Sequence, residues 1–466
     1  MRFFEAFYLT IPILLVTSII NIAQKGHILP SELKTLSAID SSYEVLQLTT
    51  DLNYDCKFYL NVNPYIEQMN CIVFTSERKG EQNLYKVDLN SGLITQITDG
   101  ININGQNANV SAITQEAFYS QGSSIKAVGL VFPFSERELT KVDLTKYYIR
   151  GSINISSDGN KLLYIQLDKA NKSFGWLTTI GSKDGSPPKM FYKAAGEVDH
   201  AYLNPIYGNK VLYHVLDGNI SIVDTDGTNF ITVGYNTSEE HVVHPFWFPD
   251  GITAAWVFKT SDKEFIETYN TRTGYKKSFT VPVTGNHFAI NSTMTTFQSD
   301  GSSNKPDITY FIINPDGTLT AKKMFRHGSS SSSETWHPHA AFINSTDLVF
   351  NSDRDGNGNI YLLRKKAGPG IRSSSHIPDN KIYLLQNYPN PFNPTTKIQF
   401  VLPQSEYVKL SVYNTLGQEI AILLNQKLPD AQYSIDFDAS KLNSGIYFYK
   451  LQAGYYIEAK KMVLIK

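Results

Sequence analysis

Short apolar runs recur along most of the chain, each bounded by polar turns. They stand at Cys71-Ile-Val-Phe, Ala127-Val-Gly-Leu-Val-Phe, Lys161-Leu-Leu-Tyr, Lys210-Val-Leu-Tyr, Thr253-Ala-Ala-Trp, Ile308-Thr-Tyr-Phe and Asp347-Leu-Val-Phe. From 71 to 347 is 276 residues over six intervals, a mean of 46. Turns such as Ser157-Asp-Gly and Pro249-Asp-Gly precede several runs, and hairpins such as Val223-Asp-Thr-Asp-Gly227 and Asn314-Pro-Asp-Gly317 follow others. Asp-Gly reverses the chain tightly because glycine accepts positive φ, so each unit predicts a small antiparallel sheet. A period in the forties with seven anchors predicts an all-β chain, a seven-bladed β-propeller over residues 40–366. The last unit supplies only inner strands, whereas Tyr43-Glu-Val-Leu-Gln-Leu-Thr49 stands alone before the first. That segment is expected to serve as the last blade's outer strand and so hide an open edge.

The pattern changes at Lys365-Lys-Ala-Gly-Pro-Gly-Ile-Arg-Ser-Ser-Ser375, whose composition reads as a linker over 367–380. Alternating strands follow at Lys397-Ile-Gln-Phe-Val-Leu, Val408-Lys-Leu-Ser-Val-Tyr, Ile446-Tyr-Phe-Tyr-Lys-Leu and Lys460-Lys-Met-Val-Leu-Ile. They predict a small Ig-like β-sandwich over 381–466. At the other end, the apolar stretch from Phe7 to Ile20 suits a signal peptide, residues 1–23, cleaved after Ala23. No later stretch reaches membrane-spanning length, so the mature chain is expected to be exported without a transmembrane segment.

A net charge of −1, with no basic run, gives no support to a nucleic-acid or membrane-surface role. The 28 Tyr and 26 Phe suit a β-rich protein. Only Cys56 and Cys71 occur, and one bridge and two buried thiols are both open readings.

Histidine placement carries the chemistry. Of ten histidines, none lies between His27 and His200, and eight run from His200 to His339. His200, His244, His287 and the pair His337 and His339 fall just before or within innermost strands, which line a propeller's channel. Residues two apart on a strand share a face, so His337 and His339 are expected to point together. Glu334, in "SETWHPHAAF" (333–342), can fold back to complete a chelate, and such a donor set suits Mn²⁺, Fe²⁺ or Zn²⁺. Set against this, short His motifs also arise by chance, and a lone His244 or His327 is more often a hydrogen-bonded structural residue. Asp353-Arg-Asp-Gly-Asn-Gly-Asn359 echoes a calcium loop, but position twelve is Arg364 rather than a bidentate Glu. There is no Gly-x-Ser-x-Gly elbow and no phosphate-binding glycine loop.

Two resemblances sharpen the reading. "LLQNYPNPFNPTTKIQF" (384–400), "VYNTLGQEI" (412–420) and "SGIYFYKLQAG" (444–454) resemble the C-terminal sorting domain of type IX secretion. This implies the type IX machinery as partner and a secreted or outer-surface-attached product. "DHAYLNPIYGNKVLYHVLDG" (199–218), "HPFWFPDG" (244–251) and "WHPHAAF" through "NSDRDGNGNIYL" (336–362) are similar to oligogalacturonate lyases, propellers with TolB-type repeats. That resemblance implies a divalent metal, typically Mn²⁺, held by His287, His337 and His339, with Glu334 where the family has Gln. It further implies His214 as the base of a β-elimination, and His200, at a family position near the substrate, is expected to be catalytic with it. His244 and Trp247 would be substrate-binding, and the substrate a uronic-acid oligosaccharide. Glu334 for Gln adds negative charge, and no Arg or Lys follows His214 in "HVLDGNISIV". A non-catalytic propeller that binds glycan or protein is the alternative, and a purely structural surface protein a further one.

Overall fold

The computed structural model describes residues 25–366 and 382–466, apart from 59–61, 132, 172–173, 184–185, 217, 302–304, 332–336, 388, 403–405, 429–430 and 455. The expected signal peptide, the 367–380 linker and Glu334 lie outside the described residues. Internal contacts divide the chain into two compact units, Met1–Lys366 and Ala367–Lys466.

The first unit holds seven antiparallel sheets. Five of the seven apolar anchors are second strands of their sheets, as in Lys161–Asp168 and Lys210–Val215. The other two, Ala127 and Ile308, lie on third strands, Ser124–Gly129 and Asp307–Ile313. In those two blades the second strands, Glu116–Gln121 and Thr296–Ser299, are shorter in apolar run, so the third strand carries the sequence signal.

Both faces of these strands are buried, which is why the runs are continuously apolar. Leu162 and Tyr164 pack toward the preceding sheet with Phe118 and Ala127, while Leu163 and Ile165 pack toward the following one with Ala201 and Val211. One such cluster lies between every pair of neighbouring sheets, including the last and the first, where Leu46, Val349 and Leu362 meet Ile72, Phe74 and Tyr85. The ring is therefore closed by side-chain packing.

Closure by hydrogen bonds is as expected from the lone segment. Tyr43–Gln47 pairs antiparallel with Asn359–Lys365, Val45 opposite Leu363. Two further strands precede it: Lys34–Ser37 extends this sheet outward, and Ile28–Leu29 extends the first sheet beside Ile94–Gln96. The ring thus begins before residue 40. Cys56 pairs with Thr75, four residues along the strand from Cys71, a separation of about 13 Å. Both thiols are free and buried, which decides between the two readings.

The second unit consists of two antiparallel sheets, Tyr383–Leu384, Thr395–Leu402 and Ala431–Asp438 in one, and four strands between Glu406 and Leu464 in the other. They share one core, with Ile398 and Phe400 against Leu410, Tyr449 and Met462. The Tyr449 hydroxyl donates to the Leu385 carbonyl at 2.7 Å and accepts from the Asn387 amide at 2.7 Å, which pins one edge.

Candidate metal centre

Each blade's innermost strand starts at the same mouth of the ring, and in four consecutive blades that strand breaks register along its length. The breaks fall at Gly105–Ala108, Gly151–Ile153, Asp199, and His244–Pro245. A bulge leaves residues unpaired and re-aims their side chains, and such devices concentrate beside functional sites. Here two of the four present chemistry: Asp199 next to His200, and His244, whose backbone takes a left-handed φ of 52°.

The result is a line of imidazoles across three blades and into a fourth. Ring centroids are 6.2 Å apart for His214 and His200, 6.3 Å for His200 and His244, and 4.4 Å for His244 and His287. His287 then lies 5.4 Å from His337 and 4.7 Å from His339. One nitrogen from each of His287, His337 and His339 falls within 4.8 Å of the others. Nitrogens bound about 2.1 Å from one ion sit about 3 to 4 Å apart, so this donor set fits a divalent cation with little movement. His337 and His339 do not share a strand face, because the strand begins only at Ala341; the left-handed φ of 45° at His339 brings the rings together instead.

Asp300 lies behind this cluster, wholly buried. Burial alone raises its carboxyl, but the imidazoles of His287 and His339 outweigh that and hold it below the usual range. Lys57, also wholly buried, donates to the Phe58 carbonyl at 2.9 Å. Burial pushes its ammonium down to about 8, against the opposing pull of Cys56 and Asp300.

Asp199, His200 and His214 form a second group with ligand-like spacing. His214 Nδ1 is 2.8 Å, and His200 Nδ1 3.1 Å, from the same Asp199 oxygen. A carboxylate only accepts, so this geometry calls for imidazole N–H donors rather than lone pairs aimed at an ion. Burial raises the Asp199 carboxyl, and the hydrogen bonds from His200 and His214 outweigh it, holding it well below its ordinary value. His214 Nε2 is buried with no hydrogen-bond partner among the described residues.

His244 donates Nδ1–H to the Asn286 carbonyl at 3.1 Å, which fixes its tautomer and leaves the Nε2 lone pair free of a proton. Burial, then the neighbouring His287 and His200, lower its pKa well below the ordinary value, so the ring is neutral at pH 7. Trp247, three residues on, is not with these groups. Its indole donates to the Tyr202 carbonyl at 3.0 Å and lines a separate cavity of about 530 Å³ among residues at the C-terminal ends of the innermost strands. His327 is buried between the last two blades, apart from the cluster, and accepts from the Ser329 amide at 2.9 Å.

Asp199, Asp300 and Lys57 escaped the sequence reading. Asp300 is hidden in Ser299-Asp-Gly301, which looks like one more turn; Asp199 had the one usable signal, an acid directly before a candidate histidine.

A closed seven-sheet ring defines a β-propeller, here with histidines gathered at one mouth, and similar proteins agree with that fold. The chain is 23% identical over 399 residues to an oligogalacturonide lyase of Pectobacterium atrosepticum, covering 73% of this chain and 98% of that protein. Among solved structures it is similar to an oligogalacturonate lyase in complex with manganese, with TM-score 0.67 and 22% identity over 74% of this chain and 99% of the other. An oligogalacturonate lyase from Vibrio parahaemolyticus matches with TM-score 0.65 and 20% identity, over 73% and 98% of the two chains. The first unit is thus an oligogalacturonate-lyase-like propeller in fold. Residues 386–466 match the family model described as a secretion system C-terminal sorting domain, so the tail carries a sorting domain, as its motifs implied.

Proposed function

We propose that the propeller is a metal-dependent lyase that cleaves short uronic-acid oligosaccharides, of the oligogalacturonate type, by β-elimination. The observation that carries the reading is the convergence of His287, His337 and His339 from two blades at one mouth of the ring. The manganese in the similar lyase structure supports a divalent ion, Mn²⁺ first, and the sequence pattern offers Glu334 as a further donor. Such an ion, when bound, neutralises a uronate carboxylate and makes the adjacent C5 proton acidic enough for imidazole to remove.

The chain's own residues do the rest. A proton acceptor must stand beside the ion-bound carboxylate, neutral and with an open lone pair. The sequence reading gives this role to His214, which Asp199 orients; its Nε2, however, is enclosed and two imidazoles removed from the cluster. His244 satisfies the geometry better, with its ring against His287 and its Nε2 lone pair free. We therefore assign proton abstraction to His244, and to His200 and His214 the polar wall against which the sugar packs. Trp247, at the cavity of the opposite mouth, takes no part in this scheme.

The tail supports export through type IX machinery to the outside of the cell, with removal of the sorting domain or attachment through it. The test is direct. The purified chain is incubated with oligogalacturonates and Mn²⁺, and the ultraviolet absorbance of unsaturated product is followed. Bound Mn²⁺ without turnover on any uronide would leave the non-catalytic glycan-binding module as the reading.

A further inference from the structure

Four Asp-Gly turns in the ring use their aspartate alike. The side chains of Asp158, Asp226, Asp250 and Asp316 each accept the backbone amide two residues on, the usual Asx-turn arrangement. Ser299-Asp300-Gly301 has the same sequence, and Gly301 has the φ of 68° such a reversal requires. A Cβ at Gly301 would stand 2.1 Å from the Lys305 carbonyl oxygen, so the turn is fixed by the backbone itself. The Gly301 amide donates to the Ser299 hydroxyl at 3.3 Å, and the Asp300 carboxylate has partners beyond the turn.

Among the described residues, the Asp300 carboxylate's hydrogen bonds all go to the imidazole cluster. Oδ1 accepts the His287 backbone amide at 3.1 Å. Oδ2 accepts His287 Nδ1–H at 2.9 Å and the His339 backbone amide at 2.9 Å. One carboxylate therefore holds a side chain of the sixth blade and the left-handed backbone of the seventh. With Nδ1 protonated and held by Asp300, Nε2 is the nitrogen that His287 has left to offer an ion.

Building on the metal site proposed above, we propose that Asp300 is a positioning residue for the ion: it fixes the His287 tautomer and locks His339 in the backbone conformation that completes the donor set. An acid serving a turn alone need only accept the amide two residues on, as Asp158, Asp226, Asp250 and Asp316 do, whereas Asp300 ties two blades together at the imidazole cluster.

The test uses the full-length chain stripped of metal and titrated with Mn²⁺, the free ion being read from its electron paramagnetic resonance signal. Asp300→Ala and Asp300→Asn are both expected to bind about 10- to 100-fold more weakly. The Asn variant keeps the volume and so the fold, but its amide has one acceptor where three N–H groups require two. Asp250→Ala, which removes an ordinary turn aspartate, is expected to lower the unfolding temperature and leave Mn²⁺ affinity unchanged. A second readout needs no metal: nitrogen-15 spectra of histidine-labelled protein, with His287→Gln to assign the signal, should show the His287 proton on Nδ1 in wild type and a tautomer mixture in Asp300→Ala. Wild-type binding with both Asp300 variants unaffected, or an unaltered His287 tautomer, overturns the proposal. Absence of binding in wild type removes the metal reading itself, and the tautomer spectra report on the Asp300–His287 link independently.

Discussion

The imidazoles of His244 and His287 lie with centroids 4.4 Å apart, although they belong to different sheets. The contact exists because the fifth blade's inner strand bulges at His244–Pro245 and throws His244 into a left-handed conformation. A neutral base is thereby set against a residue of the donor cluster. His244→Ala is expected to lower kcat about 10²- to 10⁴-fold, the usual worth of a general base, while Mn²⁺ stays bound. His214→Ala should cost less. Steady-state kinetics on the two variants decide the assignment, since a large loss confined to His214→Ala would return the base to His214.

Removing two of the three converging imidazoles tests the centre without touching the core. His339 is buried but sits in a loop ahead of the strand Ala341–Phe342, and His337 is only half-buried. The double variant His337→Ala with His339→Ala is expected to fold, to show no stoichiometric Mn²⁺ by elemental analysis, and to lose turnover that chelators also abolish in wild type. Undiminished metal content would place the ion elsewhere.

The ring was readable in the sequence because every blade repeats the same physical demand: strands buried on both faces, separated by tight polar reversals, several of them Asp-Gly. Even the two anchors at Ala127 and Ile308, one strand out of phase, left the count of blades intact. The imidazole cluster was readable because an innermost strand must face the channel wherever it starts. What could not be read is local backbone geometry. Nothing in "WHPHAAF" announces that His339 is left-handed, and nothing in Ser299-Asp-Gly301 announces that its aspartate reaches His287 and His339. Trp247 shows the cost of reading proximity from sequence alone: three residues along a strand is about 10 Å, enough to pass from one mouth of the ring toward the other.

Closure of the ring rests on a strand remote in sequence from the sheet it completes. Val45 is fully buried opposite Leu363, and Leu46 and Leu48 fill the seam with the first blade. Val45→Asp is expected to destabilise the propeller by about 3–5 kcal/mol, through an unpaired charge buried on the sheet's other side, among Ile308 and Tyr310 of the sixth blade. Glu44→Ala, which removes the partly exposed ion pair with Arg364, should cost no more than about 1 kcal/mol. Urea midpoints of the two variants measure the contrast, and equal effects would show that the strand is dispensable to closure.

Acid sensitivity should trace in part to His327. Burial, opposed by Asp300, Asp307 and Asp353, lowers its pKa from 6.5 to about 4, and its ring nitrogen Nδ1 accepts the Ser329 amide. Between those values the unfolded chain takes up a proton that the folded chain refuses. Stability is therefore complete above pH 6.5 and falls as the pH drops toward 4, by up to about 3 kcal/mol from this group. In His327→Asn the amide oxygen can take the place of Nδ1 and accept from Ser329, yet it does not titrate. The variant is expected to start less stable at pH 7, because its smaller side chain leaves a void, but to lose less on acidification. Denaturant midpoints at pH 7, 6 and 5 give the two slopes. Parallel slopes for wild type and variant would move the acid sensitivity to the carboxylates that are hydrogen-bonded in the fold.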